Sequence, residues 1–249
     1  MRRFVQAACA ASLIGAAAST VHAATTVSPA CDSVPANLLR IELHFDAPRR
    51  EPLDMRQVRL RRAGKVIDEA FLGLSLPSRD GRAVTILLHP GRIKTGVGAN
   101  LALGPVLNEG DRVTLEVDDL LLRKTWQVTA ALRRPIAVAD WRIELPTAGS
   151  RADLRVTPDA TLGAGAAALI GVADGAGHRV AGRAQMTADG VQWRFVPFAP
   201  WRAGRFMLRV HPALEDVAGN RPCAAFEQHD ASAADCRSEG LRPFAVKRR

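Results

Sequence analysis

Residues 191–220 read VQWRFVPFAPWRAGRFMLRVHPALEDVAGN, and this stretch decides the fold. Large apolar residues alternate with polar ones in two runs, at Val191, Trp193 and Phe195 and again at Phe206, Leu208 and Val210. A period of two is typical of strands that bury one face. Pro197 and Pro200 separate the runs, because proline cannot donate a hydrogen bond to a sheet. The stretch therefore predicts two strands joined by a corner.

The end of this stretch predicts a turn with a structural role. Asp216 can accept hydrogen bonds from backbone N–H groups two residues further on, and Gly219 and Asn220 tolerate positive φ. We therefore interpret Asp216, Gly219 and Asn220 as a structural turn, with no chemistry of their own.

Short alternating segments of the same kind occupy the rest of the chain, from Leu39–Phe45 onwards. Two of them are echoed later: residues 84–90 resemble residues 191–197, and Gly110 with the run after it resembles Gly204 with its run. The offsets are close to 100 residues, the size of a small β-sandwich. No long amphipathic helix interrupts either copy, which argues against α/β enzyme folds.

Several short elements resemble the bacterial Ig-like domain of the S-layer SbsA type. They are residues 43–48, 174–182, 193–197, 201–204 and 215–220. That family carries a Phe-x-x-Pro element early in the domain and an Asp-x-x-Gly-Asn turn late in it. Here the first copy has lost the late turn, and in the second copy the early element is degraded to Thr157-Pro158. The resemblance implies an all-β fold of two tandem immunoglobulin-like β-sandwich domains. It leaves function open, because such domains serve as spacers, adhesive modules or accessory modules.

The first residues have the pattern of a signal peptide. Arg2 and Arg3 precede an alanine-rich apolar run, and Val21-His22-Ala23 fits a cleavage site. We expect a signal peptide at 1–23, a lead-in at 24–36, a first Ig-like domain at 37–132 and a second at 133–249, with a short linker near Pro135. The expected location is periplasmic or secreted, and no later segment is apolar for long enough to cross a bilayer.

The chain is basic, with a formal net charge of +9. Its basic residues are dispersed, aromatic residues make up only 5% of it, and it contains no tyrosine. A nucleic-acid reader needs a basic face interleaved with stacking aromatic rings. The charge therefore argues against nucleic acid and favours a soluble basic surface, with weak attraction to anionic envelope polymers as an alternative.

Removal of the signal peptide would leave Cys31, Cys223 and Cys236. An oxidising compartment permits disulfides, so we expect a Cys223–Cys236 bond that closes a polar loop, with Cys31–Cys223 as the alternative. One odd thiol remains in either case. No Cys or His spacing fits a zinc site.

No catalytic, cofactor-binding or metal-binding set is recognisable, so we expect no enzyme activity and no cofactor. A G-x-S-x-G elbow is missing, and no histidine has a second ligand at helical or strand spacing. Asp118-Asp119 and Glu215-Asp216 follow equivalent strands. Calcium at these loops is conceivable, but turn capping by their own backbone is the favoured interpretation.

Only one place leaves room for a ligand contact. Trp201 lies at the corner of the opening stretch, with Arg202 and Arg205 beside it, and these three residues are the candidate contacts. The sequence thus predicts a non-catalytic extracytoplasmic structural or protein-interaction module, such as a scaffold, a spacer or a partner of an envelope protein. A carbohydrate- or envelope-polymer-binding module is the alternative.

Overall fold

The structure, a computed structural model, describes residues 25–187, 189–226 and 239–248. Residues 1–23 and Cys236 lie outside this part, so the expected signal peptide and the Cys223–Cys236 bond stay predictions. Within the described residues most of the regular secondary structure is β-strand, with only a few short helices, which confirms the predicted all-β class.

The first half forms nine strands and two short helices. They are β1 (Thr25–Ser28), β2 (Ser33–Pro35), β3 (Arg40–Phe45), β4 (Val58–Arg62), β5 (Lys65–Val66), β6 (Phe71–Pro77), β7 (Ala83–Leu88), α1 (Pro90–Ile93), α2 (Gly98–Leu103), β8 (Arg112–Val117) and β9 (Leu122–Thr129). The second half forms β10 (Arg142–Glu144), β11 (Leu154–Thr157), β12 (Ile170–Asp174), β13 (Gly182–Met186), β14 (Trp193–Pro197), β15 (Gly204–Val210) and β16 (Leu241–Val246).

The strands of each half form two sheets, and the strand order of these sheets is the same in both halves. The first half has sheets β1-β3-β7-β6 and β2-β9-β8-β4-β5, and the second has β10-β11-β14-β13 and β12-β15-β16. In chain order the second pair is A-B-E-D against C-F-G, which is the seven-strand immunoglobulin sandwich. The first half has the same seven strands in the same order, with β2 and β5 added at the edges.

The two sheets of each half enclose a hydrophobic cluster of their own. Ile41, Leu115 and Trp126 lie in the first cluster, and Leu154, Trp193 and Leu208 lie in the second. The burial of β14 and β15 alternates as the opening stretch predicts, with Trp193, Phe195 and Leu208 inside. Val191, expected in the first run, instead lies before β14 and is 40% exposed. Period-two patterning therefore determined which side chains form the core.

The internal echo in the sequence corresponds to equivalent strands. Within these ranges, residues 84–88 belong to β7 and residues 193–197 form β14, and these strands hold the same position in their sheets. Gly110 precedes β8 and Gly204 begins β15, which are again equivalent. The repeated patterns thus belong to the same two strands of each sandwich.

Two local details add to what the sequence patterns predict. The polar lead-in contributes two strands, because β1 pairs with β3 and β2 pairs in parallel with β9. The irregular segment after His89 contains α1 and α2, and the buried Arg92 donates to the carbonyl oxygens of Asp68, Leu103, Gly104 and Pro105. A buried arginine bonded entirely to backbone carbonyls has no sequence signature.

Candidate functional surface

The structure contradicts the expectation that Trp201 contacts a ligand, because the side chain is only 3% exposed. Its indole N–H donates to the carbonyl oxygen of Ala152 at 2.9 Å. Its ring lies edge-on to Phe206, with the centroids 5.3 Å apart, and also contacts Phe195 and Phe244. Trp201 therefore closes the end of the second core, where a buried indole has both an apolar environment and a hydrogen-bond acceptor.

Arg202 and Arg205 lie at the surface, as a contact role requires. Among the described residues neither side chain makes a hydrogen bond or an ion pair. The structure thus separates the three candidates: the tryptophan belongs to the core, and the two arginines remain accessible.

Three separate chain segments meet at this end of the second sandwich. Gly149 donates to the carbonyl oxygen of Trp201, Trp201 donates to that of Ser150, and Ala148 donates to that of Lys247. These bonds bring the residues before β11, those before β15 and those after β16 together. Five exposed basic residues stand on the three segments, and we call them the basic pole: Arg151, Arg202, Arg205, Lys247 and Arg248.

Phe198 is the residue of this end that sequence reasoning missed. Its side chain is 65% exposed, and its backbone N–H donates a hydrogen bond to the carbonyl oxygen of Ala181. The signal was present in the period of two, because Trp193 and Phe195 point inward and residue 198 falls on the outward phase. Val196 has the same outward phase and is 45% exposed.

Four arginines of the first sandwich differ from those of the basic pole, because they form ion pairs with carboxylates. Arg49 pairs with Asp119, Arg59 with Asp118, Arg61 with Glu116 and Arg62 with Asp111. The Asp118-Asp119 pair that made calcium conceivable is thus neutralised by guanidinium groups. No group of three or more His, Cys, Asp or Glu side chains suited to a metal occurs among the described residues.

The predicted turn lies deep in the molecule. Asp216 and Asn220 are 2% and 1% exposed. One oxygen of Asp216, Oδ1, accepts from the backbone N–H groups of Ala218 and Asn220, and the other, Oδ2, accepts from Asn220 Nδ2. Burial raises the pKa of Asp216 above the usual value of 3.8, although these N–H donors act to lower it.

Gly219 is required in this turn for two reasons. Its φ is +83°, a conformation that costs other residues about 1–2 kcal/mol. A Cβ at this position would also lie 2.6 Å from Leu39 Cδ2 and 3.0 Å from Phe226 Cδ2. The turn is therefore packed against the first sandwich.

Val217, in the same turn, connects the two sandwiches. Its side chain belongs to the hydrophobic cluster of the first one. Its carbonyl oxygen accepts from Leu39 N at 2.8 Å, and its N–H donates to the carbonyl oxygen of Thr161 at 3.2 Å. Glu215, the residue before the turn, pairs with Arg40 on β3.

The expected linker is fixed by the same region. Leu132 donates to Asn37 Oδ1, and its carbonyl oxygen accepts from both Asn37 Nδ2 and Asn220 Nδ2. Ile136 donates to the carbonyl oxygen of Arg221 at 3.0 Å. We call residues 214–226 the junction segment, since they contact both sandwiches and the chain between them.

The cysteines are only partly described. Cys223 is disulfide-bonded. Cys31 is a free thiol whose Sγ donates to the carbonyl oxygen of Ser33, so the alternative Cys31–Cys223 bond is not formed. The helices of the described part include none that is long and apolar enough to cross a membrane.

No protein-family model matches the sequence, and no curated protein matches it significantly. Among solved structures, the chain is similar to the titin Ig tandem A164-A165, at 9% identity over 83% of this chain and 85% of that one, with a TM-score of 0.25. It is similar to domains 5-6 of the S-layer protein SbsC, at 11% identity over 90% and 97%, with a TM-score of 0.26.

A third similar structure is the Bacteroides ovatus glucan-utilisation protein SGBP-B in complex with a mixed-linkage heptasaccharide. It is 13% identical over 86% of this chain and 42% of that one, with a TM-score of 0.24. At such identities and TM-scores these likenesses carry no argument about what this chain does.

Proposed function

We propose that this chain is a non-catalytic extracytoplasmic module, a tandem of two immunoglobulin-like domains that acts as a rigid spacer or scaffold for an envelope partner. The junction segment carries this proposal. A spacer must hold its ends in a fixed relation, and the junction segment is bonded to both domains and to the linker.

The contacts of the junction explain why it would resist bending. Val217 packs its side chain into the first domain and accepts there from Leu39 N and Arg40 N, so a hinge motion would expose an apolar side chain and break these two backbone hydrogen bonds. An unpaired buried polar group costs about 1–3 kcal/mol. Asn220 and Asn37 add further bonds to Leu132, so several such groups would be lost together.

The division into domains is part of the proposal. We place the boundary at the linker near Pro135, with the first domain before it and residues 133–249 in the second. Since β1 and β2 pair into the sheets of the first sandwich, the lead-in 24–36 belongs with residues 37–132. Membership of the SbsA-type family is proposed on the sequence elements alone.

Rigidity can be tested by measuring residual dipolar couplings on the chain that begins at Ala24. A rigid tandem requires that one alignment tensor fit the couplings of both domains. Two tensors of different magnitude would mean independent domains and would contradict a spacer held by its junction. Variant Asn108→Ala, in an exposed loop of the first domain, serves as the control that should keep one tensor.

The interaction role is tested by a pull-down of the same chain from envelope extract, followed by mass spectrometry. The scaffold proposal requires recovery of a specific envelope protein. The second candidate, a carbohydrate- or envelope-polymer-binding module, is favoured by the exposed, unpaired Arg202 and Arg205. Retention on envelope polysaccharide with no protein recovered would replace the scaffold by this candidate.

A further inference from the structure

The basic pole is an accumulation of cationic groups that lack counter-charges in the described part of the chain. None of its five side chains makes an ion pair or a hydrogen bond with any residue in the described part of the chain. The nearby acids are engaged elsewhere: Asp153 and Glu144 pair with Arg155, and Asp174 accepts from the backbone of its own turn. An anion from outside the chain would therefore meet five charges that have no partner among the described residues.

Phe198 adds an apolar component at the same end. It lies three residues before Trp201, whose backbone is bonded to residues 149 and 150 of the pole's first segment. Exposure of 65% of a phenyl ring between Pro197 and Pro200 costs free energy in water, and burying a phenylalanine side chain recovers about 1.5–3 kcal/mol. The pole thus combines unpaired cations with a protruding aromatic ring.

We propose that the basic pole and Phe198 dock the protein on the surface of an anionic phospholipid bilayer. Arginine and lysine would contact the phosphate groups, and the phenyl ring would enter the boundary between headgroups and acyl chains. This combination of basic residues and an aromatic side chain is the one that binds bilayer interfaces. A purely ionic polymer would leave the ring in water, which is why we favour the bilayer.

The position of the pole would let the second sandwich stand on the bilayer with its long axis pointing away from the membrane surface. β15 begins at Gly204, beside the pole, and ends at Val210, four residues before the junction segment. Seven residues of extended strand span about 20 Å, so the pole and the junction lie at opposite ends of the second sandwich. The inference thus extends the proposed spacer by naming what one of its ends contacts, and it rests on that function only for the extracytoplasmic location.

The test uses co-sedimentation with vesicles of 30% phosphatidylglycerol and 70% phosphatidylcholine, against vesicles of phosphatidylcholine alone. We expect the chain that begins at Ala24 to bind the anionic vesicles and to be released by high salt, because charge attraction to a surface is screened within a Debye length. The variant R202Q/R205Q/K247Q should bind about a hundredfold more weakly, since each cation near such a surface contributes about 1 kcal/mol.

The matched control is K65Q/R79Q/R112Q, which removes the same charges from exposed, unpaired positions of the first sandwich. It should retain binding close to that of the unaltered chain. Equal weakening by both variants would show that only net charge matters, and would overturn a docking site at the pole.

Phe198→Ser separates a bilayer from an acidic polymer or an acidic protein. Docking on a bilayer predicts about tenfold weaker vesicle binding for this variant, whereas unchanged binding would overturn the insertion of the ring. Failure to bind anionic vesicles at all would reject the bilayer and favour an acidic macromolecule. Circular dichroism of each variant shows whether the fold is retained. The residual dipolar couplings of the two domains test the spacer function independently of vesicle binding.

Discussion

Asn220→Ala is the perturbation that probes the junction most directly. The side chain of Asn220 makes three hydrogen bonds: Nδ2 donates to Leu132 O and to Asp216 Oδ2, both at 2.9 Å, and Oδ1 accepts from Phe226 N at 3.0 Å. Alanine removes all three without adding volume. The cost therefore depends on which partners find no replacement.

The loss in the free energy of unfolding can be summed over the three hydrogen-bond partners of Asn220. Leu132 O keeps its bond from Asn37 Nδ2, so its loss costs little. The N–H of Phe226 loses its acceptor, at about 1 kcal/mol, and the buried Asp216 Oδ2 loses the donor Asn220 Nδ2, at about 2 kcal/mol for a bond to a charged group. We expect Asn220→Ala to lower the free energy of unfolding by about 3 kcal/mol.

Urea unfolding followed by tryptophan fluorescence measures this difference. Amide hydrogen exchange then locates it: exchange should accelerate at Leu39, in the first sandwich, as well as at Val217, because Leu39 N donates to Val217 O. Asn108→Ala is the control, since that exposed side chain makes one bond of 3.3 Å to Asp111, and its effect should stay within about 0.5 kcal/mol.

Two results would contradict the predicted effect of Asn220→Ala. Equal costs for Asn220→Ala and Asn108→Ala would mean that the buried bonds add nothing beyond those of a surface loop. Faster exchange confined to the second sandwich would mean that the turn stabilises only its own domain and does not couple the two.

Three further predictions concern the same regions. Gly219→Ala should cost more than about 2 kcal/mol in urea unfolding, because the positive φ adds to a Cβ 2.6 Å from Leu39; a cost below 1 kcal/mol would contradict this packing. Burial raises the pKa of Asp216, so the folded chain holds that proton more tightly and the stability contributed by Asp216 is present at low pH and lost as pH rises through the raised value. The cost of Asp216→Asn in urea unfolding should therefore be larger at pH 4 than at pH 7, and the opposite trend would mean that the N–H donors outweigh burial. Trp201→Ala should destabilise the second sandwich by about 3–5 kcal/mol in thermal unfolding, and Trp201→Phe by less; a change within 0.5 kcal/mol for alanine would contradict a core role.

The turn at residues 216–220 shows which structural features the sequence patterns could predict and which they could not. Asp, Gly and Asn at 216, 219 and 220 predicted a turn, because their chemistry acts within four residues of chain. The pattern could not show that this turn is buried against Leu39, since that contact joins residues 180 positions apart. The lead-in strand β1 was missed for a similar reason: a polar segment becomes a strand when a neighbouring edge, here β3, offers it backbone partners.

Trp201 was expected to contact a ligand and lies in the core, whereas Phe198, for which no role was expected, lies at the surface. Phe198 still follows the outward phase of β14, but Trp201 comes after Pro200, where the period of two is interrupted and no longer assigns an inside and an outside. The structure buries Trp201 among Phe195, Phe206 and Phe244 and leaves Phe198 exposed. Only packing could show that Trp201 belongs to the core.

The sequence by itself determined the all-β class, the core residues of β14 and β15 and the repetition of one sandwich, because strand periodicity and turn chemistry are local. The tertiary structure alone decided that the turn at Asp216 joins two domains and that cations from three segments meet at one pole. Convergence of this kind depends on how strands far apart in sequence are ordered in a sheet, and no local pattern encodes that order.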